Sequence, residues 1–314
     1  MLSPKLLEDI EALQKIVEDH DQVTLKLNWD MLRHRNEEEN LDFVYHKDGM
    51  LVGFVGLYGF GTAYELCGMV HPDYRRQGIM TTILMEALPT TTLQNYSQLL
   101  FNAPAESASA KLFFEQLPLT YHFSEYQMKC NPADANVKSL EQHESQDKHE
   151  TQDKHETHEK QCESALTQEI DIPLAETAYT LKLQPAQPKD RSILAELDVL
   201  CFDLSEEDAR IYNDDVLDDP DSVSYLILAN EIVAGKIRIT QLAKESWIYG
   251  FAIYPNFQKR GIGRSILQHV THYEFTRGQS VHLEVALSNP GAIKLYQSIG
   301  YHTTNVQDYY RYHL

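Results

Sequence analysis

Six residues recur at one spacing. Pro72 and Pro255 stand 183 positions apart, and so do Gly78 and Gly261, Ile79 and Ile262, Leu84 and Leu267, Lys111 and Lys294, and Leu112 and Leu295. Chance does not hold one offset across a strand end, a loop and two helical stretches, so the 314-residue chain reads as a tandem duplication.

Both copies have an α/β pattern in the same order. In the first, "LLEDIEALQKIV" has helical period and "LDFVYHKDGMLVGFVGLYGF" reads as a hairpin turning at "KDG". A strand, "AYELCGMVHP", ends at Pro72, and a helix is predicted from Gln77 to Leu88. Strand "QLLFNA", helix "SASAKLFFEQL" and strand "TYHFSEYQMKC" follow. In the second, strand "AYTLKLQPA" and helix "RSILAELDVLCF" precede a hairpin, "VSYLILANEIVAGKIRIT", turning at "ANE". Strand "SWIYGFAIYP", a helix from Arg260 to Thr276, strand "VHLEVAL", helix "PGAIKLYQSI" and a tyrosine-rich strand complete it. The predicted domains are residues 1–130 and 179–314, each a mixed α+β sheet with helices on both faces.

Residues 131–178 have another character. The segment repeats "SQDKHE", "TQDKHE" and "THEKQ" and has almost no large aliphatic residue before Leu166. It cannot bury enough surface to offset its ordering entropy and is predicted to be a linker. Its His143, His149, His155 and His158 recur because the hexapeptide recurs; they match no closed ligand set, and no metal is expected.

Bulk properties narrow the partners. A formal net charge of −20 argues against nucleic-acid binding, which must neutralise phosphates, and favours cationic partners such as amines. The longest apolar run, "MLVGFVGLYGF", falls well short of the ~20 residues that cross a bilayer. With no signal peptide and no CxxC among Cys67, Cys130, Cys162 and Cys201, the expectation is a reduced, cytoplasmic protein with free thiols.

Chemistry concentrates in the glycine loops. In "FQKRGIGRS", Phe257 to Ser265, a strand ends at a proline and a helix begins with exposed N–H groups. Those groups and the helix dipole favour an anion, and glycine lets the backbone approach it. Lys259, Arg260 and Arg264 add positive charge. A Walker loop is excluded because no G-K-S/T occurs, and a dinucleotide fingerprint because Leu267 stands where its third glycine belongs.

With "LEVALSNPGAIKLYQSIGY", Leu283 to Tyr301, this loop resembles the GCN5-related N-acetyltransferase (GNAT) superfamily. The matched positions are Gln258, Gly261 and Gly263 in the loop, then Asn289, Leu295-Tyr296 and Gly300-Tyr301. The resemblance covers most of residues 179–314, and residues 1–130 less closely. The two-copy layout is similar to that of mycothiol synthase and other bacterial tandem acetyltransferases.

The resemblance implies two GNAT domains and an acetyl-CoA-dependent enzyme. Loop residues 258–264 (Gln258, Lys259, Arg260, Gly261, Ile262, Gly263 and Arg264) would hold the pyrophosphate. The strand Phe251, Ala252, Ile253 and Tyr254 would pair with the pantetheine arm, with Asn289 also on the cofactor side. A backbone N–H would polarise the thioester. Transfer to a primary amine of a small molecule or peptide would be direct, with no cysteine nucleophile. Tyr296 corresponds to the family's acid. Glu284 is the candidate base, as in bacterial enzymes that acetylate ribosomal-protein N-termini; an ordered water and His282 are the alternatives. The acidic "CFDLSEEDARIYNDDVLDDPD" would lie on the acceptor side, drawing a cationic amine or simply facing solvent, and Tyr309 and Tyr310 could border it.

The first copy departs from this pattern. Phe113 stands for Tyr296, Phe101 for Glu284, Glu106 for Asn289 and Met80 for Gly263, while Arg75 and Gly78 remain. That copy is expected to be non-catalytic, with Glu65 a base only if it is active. Whether it binds CoA stays open. The rival to an enzyme is an acyl-CoA-binding sensor or scaffold.

Overall fold

Ser3 starts the first helix: its Oγ accepts from Leu6 N at 3.2 Å, and Pro4 takes the first turn, where a missing N–H costs nothing. A computed structural model describes residues 2–35, 40–60, 62–93, 97–132, 170–172, 178–202, 204–217 and 219–313. The chain divides into two units. Unit 1 is Met1–Tyr126, Ala286–Ser288 and Asn305–Leu314; unit 2 is Gln127–Val285 and Asn289–Thr304.

In unit 1, α1 (Pro4–Asp21) and α2 (Trp29–His34) precede β1 (Asp42–Lys47), β2 (Met50–Phe60) and β3 (Ala63–Val70). Then come α3 (Ile79–Leu93), β4 (Gln98–Pro104), α4 (Ala108–Phe114) and β5 (Leu119–Cys130). Asp48 and Gly49 turn the β1–β2 hairpin with φ of 53° and 81°, the left-handed pair a tight hairpin needs. The β2 run is apolar throughout because both its faces are covered. Val55 and Leu57 pack with Ile79 and Ile83 of α3, while Phe54 and Tyr58 pack with Ile10 and Leu13 of α1. The predicted stop at Leu88 fails: α3 continues through Pro89, which removes one backbone bond without ending the helix.

Unit 2 repeats the plan. Its elements are β6 (Ile170–Ile172), β7 (Leu181–Pro185), α5 (Arg191–Phe202), α6 (Glu206–Leu217), β8 (Ser222–Ala229), β9 (Ile232–Gln241) and β10 (Glu245–Ile253). After these come α7 (Ile262–Thr276), β11 (Ser280–Ala286), α8 (Pro290–Ile299) and β12 (His302–Tyr312). Asn230 and Glu231, φ 50° and 64°, turn the β8–β9 hairpin as "ANE" predicted. Within the predicted linker, Ile170–Ile172 form a strand that pairs with β7. The linker histidines lie outside the described residues.

The last strand of the chain completes the first sheet. In unit 1 the strand order is β1-β2-β3-β4-β12-β5, with β12 antiparallel to β4 from Gln307↔Pro104 to Arg311↔Leu100. In unit 2 it is β5-β11-β10-β9-β8-β7-β6. The sequence-based boundaries assigned β5 wholly to the first copy and β12 wholly to the second, whereas each strand is divided between the units.

Candidate functional site

In unit 2 the loop follows a strand with a break in its ladder. Tyr249 pairs with Arg238 and Ala252 with Lys236, so Gly250 and Phe251 together face one residue of β9. This is a β-bulge, and Gly250 carries it at φ 53°. On the other side, β10 pairs with β11 only from Glu245↔Ser280 to Ile248↔Leu283. Beyond Ile248 the two parallel strands part, so Gly250 to Ile253 lie outside that ladder.

A short 3-10 turn, Pro255–Phe257, leads into the loop. Lys259 and Gly261 adopt φ of 58° and 81°, and α7 starts behind them. The first bond of the helix runs from Ser265 N to Gly261 O, so the amides of Ile262, Gly263 and Arg264 precede the helical ladder. A Cβ on Gly263 would meet Ile253 Cγ1 and Phe251 Cζ at 3.6 Å, ordinary contact, so an alanine would also fit there. The Gln258 side chain donates to Ile253 O at 2.9 Å, locking strand to loop. Arg260 donates to Tyr179 OH and lies over the Tyr179 and Phe257 rings. The Tyr254 hydroxyl is pushed up to about 12 by burial and by Glu196.

The proton-transfer candidates stand on opposite faces of this sheet. Ser246 Oγ donates to Glu274 of α7 at 2.6 Å, so its neighbour Trp247 points the other way. Trp247 stacks on His282 and Tyr249, and Arg238 bridges Tyr249 to Tyr212 of α6. Glu284 follows His282 on that face and accepts from Gln127 Nε2 at 3.0 Å. Tyr296 lies on the α7 side, buried, its ring 6.0 Å from that of Tyr301, which bonds Thr271 of α7. Burial pushes its phenol up to about 12, keeping it a proton donor. Asn289 caps α8, its Oδ1 accepting from Ala292 N at 3.1 Å. His282 bonds Ser280 at 2.9 Å, and burial holds its imidazole below the usual range.

Unit 1 keeps the loop and loses the bulge. Arg75, at φ −66° and ψ 161°, matches Gln258 at −68° and 160°. Arg76 and Gly78, φ 62° and 79°, repeat Lys259 and Gly261. The β2–β3 ladder, however, runs unbroken from Gly53↔Val70 to Phe60↔Ala63. β3 and β4 part after Leu66↔Phe101, and a cavity of about 500 Å³ opens there. Gly68, Met80, Asn102 and Phe113 are among its lining residues, with Phe101 where unit 2 has Glu284. Arg75 at the loop end is held by Asp21 through two bonds of 2.8 Å.

An acetyltransferase (GNAT) family model matches residues 192–301, and an acetyltransferase (GNAT) domain model matches residues 39–117. Together they span more than half of the chain. The chain belongs to the GNAT acetyltransferase family. Its two GNAT domains stand in tandem, and the same layout fits solved structures along nearly their whole length. A GCN5-related N-acetyltransferase from Sphaerobacter thermophilus superposes with a TM-score of 0.69 at 17% identity, over 98% of this chain and 93% of that one. A tandem GNAT protein from the clavulanic acid biosynthesis pathway gives 0.64 at 12% identity, over 99% and 95%. These likenesses concern the fold.

Sequence relatives of this GNAT chain are shorter matches. A [ribosomal protein bS18]-alanine N-acetyltransferase of Salmonella typhimurium is 39% identical over 74 residues, 23% of this chain and 50% of that protein. The N-alpha-acetyltransferase RimI of Mycobacterium tuberculosis is 37% identical over 65 residues, 20% and 40%. The chain thus spans half or less of the length of these relatives.

Some polar groups had no motif to mark them. Asn102, within the apolar "QLLFNA", and Lys26 and Glu125 converge in unit 1 on Glu65 and Tyr309. A polar residue inside an apolar strand was the one available signal. Among the described residues no His, Cys, Asp and Glu group is arranged to hold a metal, and no helix is long and apolar enough to cross a membrane. Cys67 and Cys130 are buried and form no disulfide with a described residue, and burial pushes the Cys67 thiol up to about 12.

Proposed function

We propose that the chain is an acetyl-CoA-dependent N-acetyltransferase whose reaction runs in unit 2. The observation that carries this is the bulged, splayed β10 leading straight into the Gly261 loop. Acetyl-CoA supplies an activated acyl group as thioester. Loop amides and Lys259 suit its pyrophosphate, and the edge of β10 beyond its ladder with β11 suits an extended pantetheine arm. The acceptor nitrogen attacks the thioester carbonyl, its N–C bond forms, and the C–S bond breaks. Glu284 takes the proton the nitrogen loses, and Tyr296 gives one to the departing sulfur. The acceptor is a primary amine of a small molecule or peptide. An alanine-first peptide belongs among the candidates because of the bS18-alanine acetyltransferase relatives.

A second reading has its own observation. The roomy cavity is in unit 1, where phenyl rings replace the acid and the base. That favours an acyl-CoA-binding sensor or scaffold. A panel of amines and N-terminal peptides, assayed for thiol release from acetyl-CoA, separates the two. Turnover that collapses in Tyr296→Phe supports the enzyme. CoA binding without turnover on any amine supports the sensor.

A further inference from the structure

The face of β10 that carries Trp247 and Tyr249 is only partly covered. Both of these side chains are half-buried, whereas Ser246 and Ile248, on the other face, are buried. Arg238 is the partner of Tyr249 on β9, and Glu284 follows Leu283, the partner of Ile248, on β11. Arg238 and Glu284 therefore lie in one row on this face, two strand spacings or about 10 Å apart at the backbone.

Arg238 has no acidic partner. Its Nη2 donates to Tyr212 OH at 2.8 Å, and its guanidinium lies over the rings of Tyr249 and Tyr212, 4.7 and 5.4 Å from their centroids. Among the described residues no carboxylate stands within ion-pair distance of it, and its buried Nε has no hydrogen-bond partner. Lys236, two residues back on the same face, is balanced by Asp198 at 2.5 Å, so the guanidinium carries the charge left over. Asp214 of α6 is taken up by Arg191 at 3.0 Å. A cleft of about 10 Å³, space for one water-sized atom, opens among these groups, with Tyr212, Ser224, Lys236, Arg238 and Gly250 in its wall. Among the described residues no acidic side chain lines it.

Unit 1 has neither cation. Gly235 and Gly53 pair with Ile253 and Val70, each two residues before its loop proline, so Phe54 stands on the rung of Lys236 and Gly56 on that of Arg238. The cleft belongs to the unit that carries Glu284 and Tyr296.

We propose that Arg238 selects the acceptor of unit 2, an amine that carries a carboxylate a few carbons from its reacting nitrogen. One carboxylate oxygen enters the cleft beside Lys236 and Gly250, and the other bonds the guanidinium. The nitrogen then lies on the Glu284 side of Tyr249. A planar guanidinium held between two rings suits a carboxylate, and pairing them removes the unbalanced charge. The inference rests on the acetyl-transfer reading of unit 2 and narrows its amine to one class.

The test reads binding on the full chain without acetyl-CoA. The chain has two tryptophans, Trp29 and Trp247, so 15N-tryptophan labelling gives two indole signals, and loss in Trp247→Phe identifies the second. Titration with 4-aminobutanoate should shift the Trp247 signal saturably. 4-Aminobutanamide, of matching shape without the carboxylate, should bind roughly tenfold more weakly. Arg238→Gln should bring 4-aminobutanoate down to the amide's affinity and leave the amide unchanged, and Arg238→Lys should keep part of the preference. A folding defect would instead weaken both probes together and leave their ratio. No shift of Trp247, equal affinities in the parent, or a preference that survives Arg238→Gln overturns the proposal. Thiol release is read separately, so failure here leaves the acetyl-transfer reading standing, and absent turnover with the preference intact removes that reading alone.

Discussion

Met80 packs over Gly68: its Cε lies 3.0 Å from the point a Gly68 Cβ would occupy. The residues 183 positions on, Phe251 and Gly263, make the reverse arrangement, the large side chain on the strand and the glycine on the helix. Volume is conserved across the contact while its origin changes sides. Met80 is therefore a packing residue of unit 1, and the loop before it keeps its dihedrals. Replacing it with alanine should cost about 1–2 kcal/mol, a partly buried methionine's share, and lower the midpoint of thermal unfolding by a few degrees. An unchanged midpoint would show that the contact carries no stability.

Tyr296→Phe should lower kcat at least about 100-fold with little change in KM, since the lost proton donor acts on the leaving sulfur alone. The phenol sits near 12, so any alkaline limb below pH ~10 arises elsewhere and should persist in the variant. A limb that vanishes with the hydroxyl would contradict this.

Lys236 and Asp198 form a buried ion pair at 2.5 Å under the bulge, and Asn213 donates to the same carboxylate at 2.6 Å. Lys236 Cε lies 3.7 Å from the Cβ position of Gly250. Burial pulls the ammonium below the ordinary lysine value, while Asp198 pulls it back. Asp198→Ala strands this charge and should destabilise unit 2 by about 3–5 kcal/mol in urea unfolding. Lys236→Met combined with Asp198→Leu should recover much of that loss.

Asp21 links acid stability to the unit 1 loop. Burial raises its carboxyl, but Arg75 and His20 outweigh burial and hold it below the ordinary 3.8. The folded form thus keeps its charge to lower pH than the unfolded form. The stabilisation is present above pH ~4 and fades as pH falls through the folded pKa. Asp21→Asn should cost about 1–3 kcal/mol at pH 6, and the urea midpoints of variant and parent should converge as pH falls below the depressed folded pKa of Asp21. A constant gap at all pH values would remove Asp21 as the titrating group.

The elements were legible wherever the signal was local. Turn residues at "KDG" and "ANE" gave both hairpins, and Asn289 and Gly300 bounded α8 as their residue types require. α2 had too few residues to show a period, and Pro89 misled because a proline weakens a helix without always stopping it. Glu65 and Tyr309 each drew notice separately, but nothing joined them, for they lie 244 positions apart.

By itself the sequence determined the duplication, the two glycine loops, and which copy kept Tyr296 and Glu284. Each rests on spacing or residue type, and a chain carries those before it folds. Tertiary structure decided that β12 completes unit 1, that β10 bulges at Gly250, and that the cavity opens beside Gly68. Any apolar-alternating strand can fill an open sheet edge, so the pattern does not name its partner. A cavity is what packing leaves over, and that depends on side chains as far apart in sequence as Val17 and Gln116 meeting in one place.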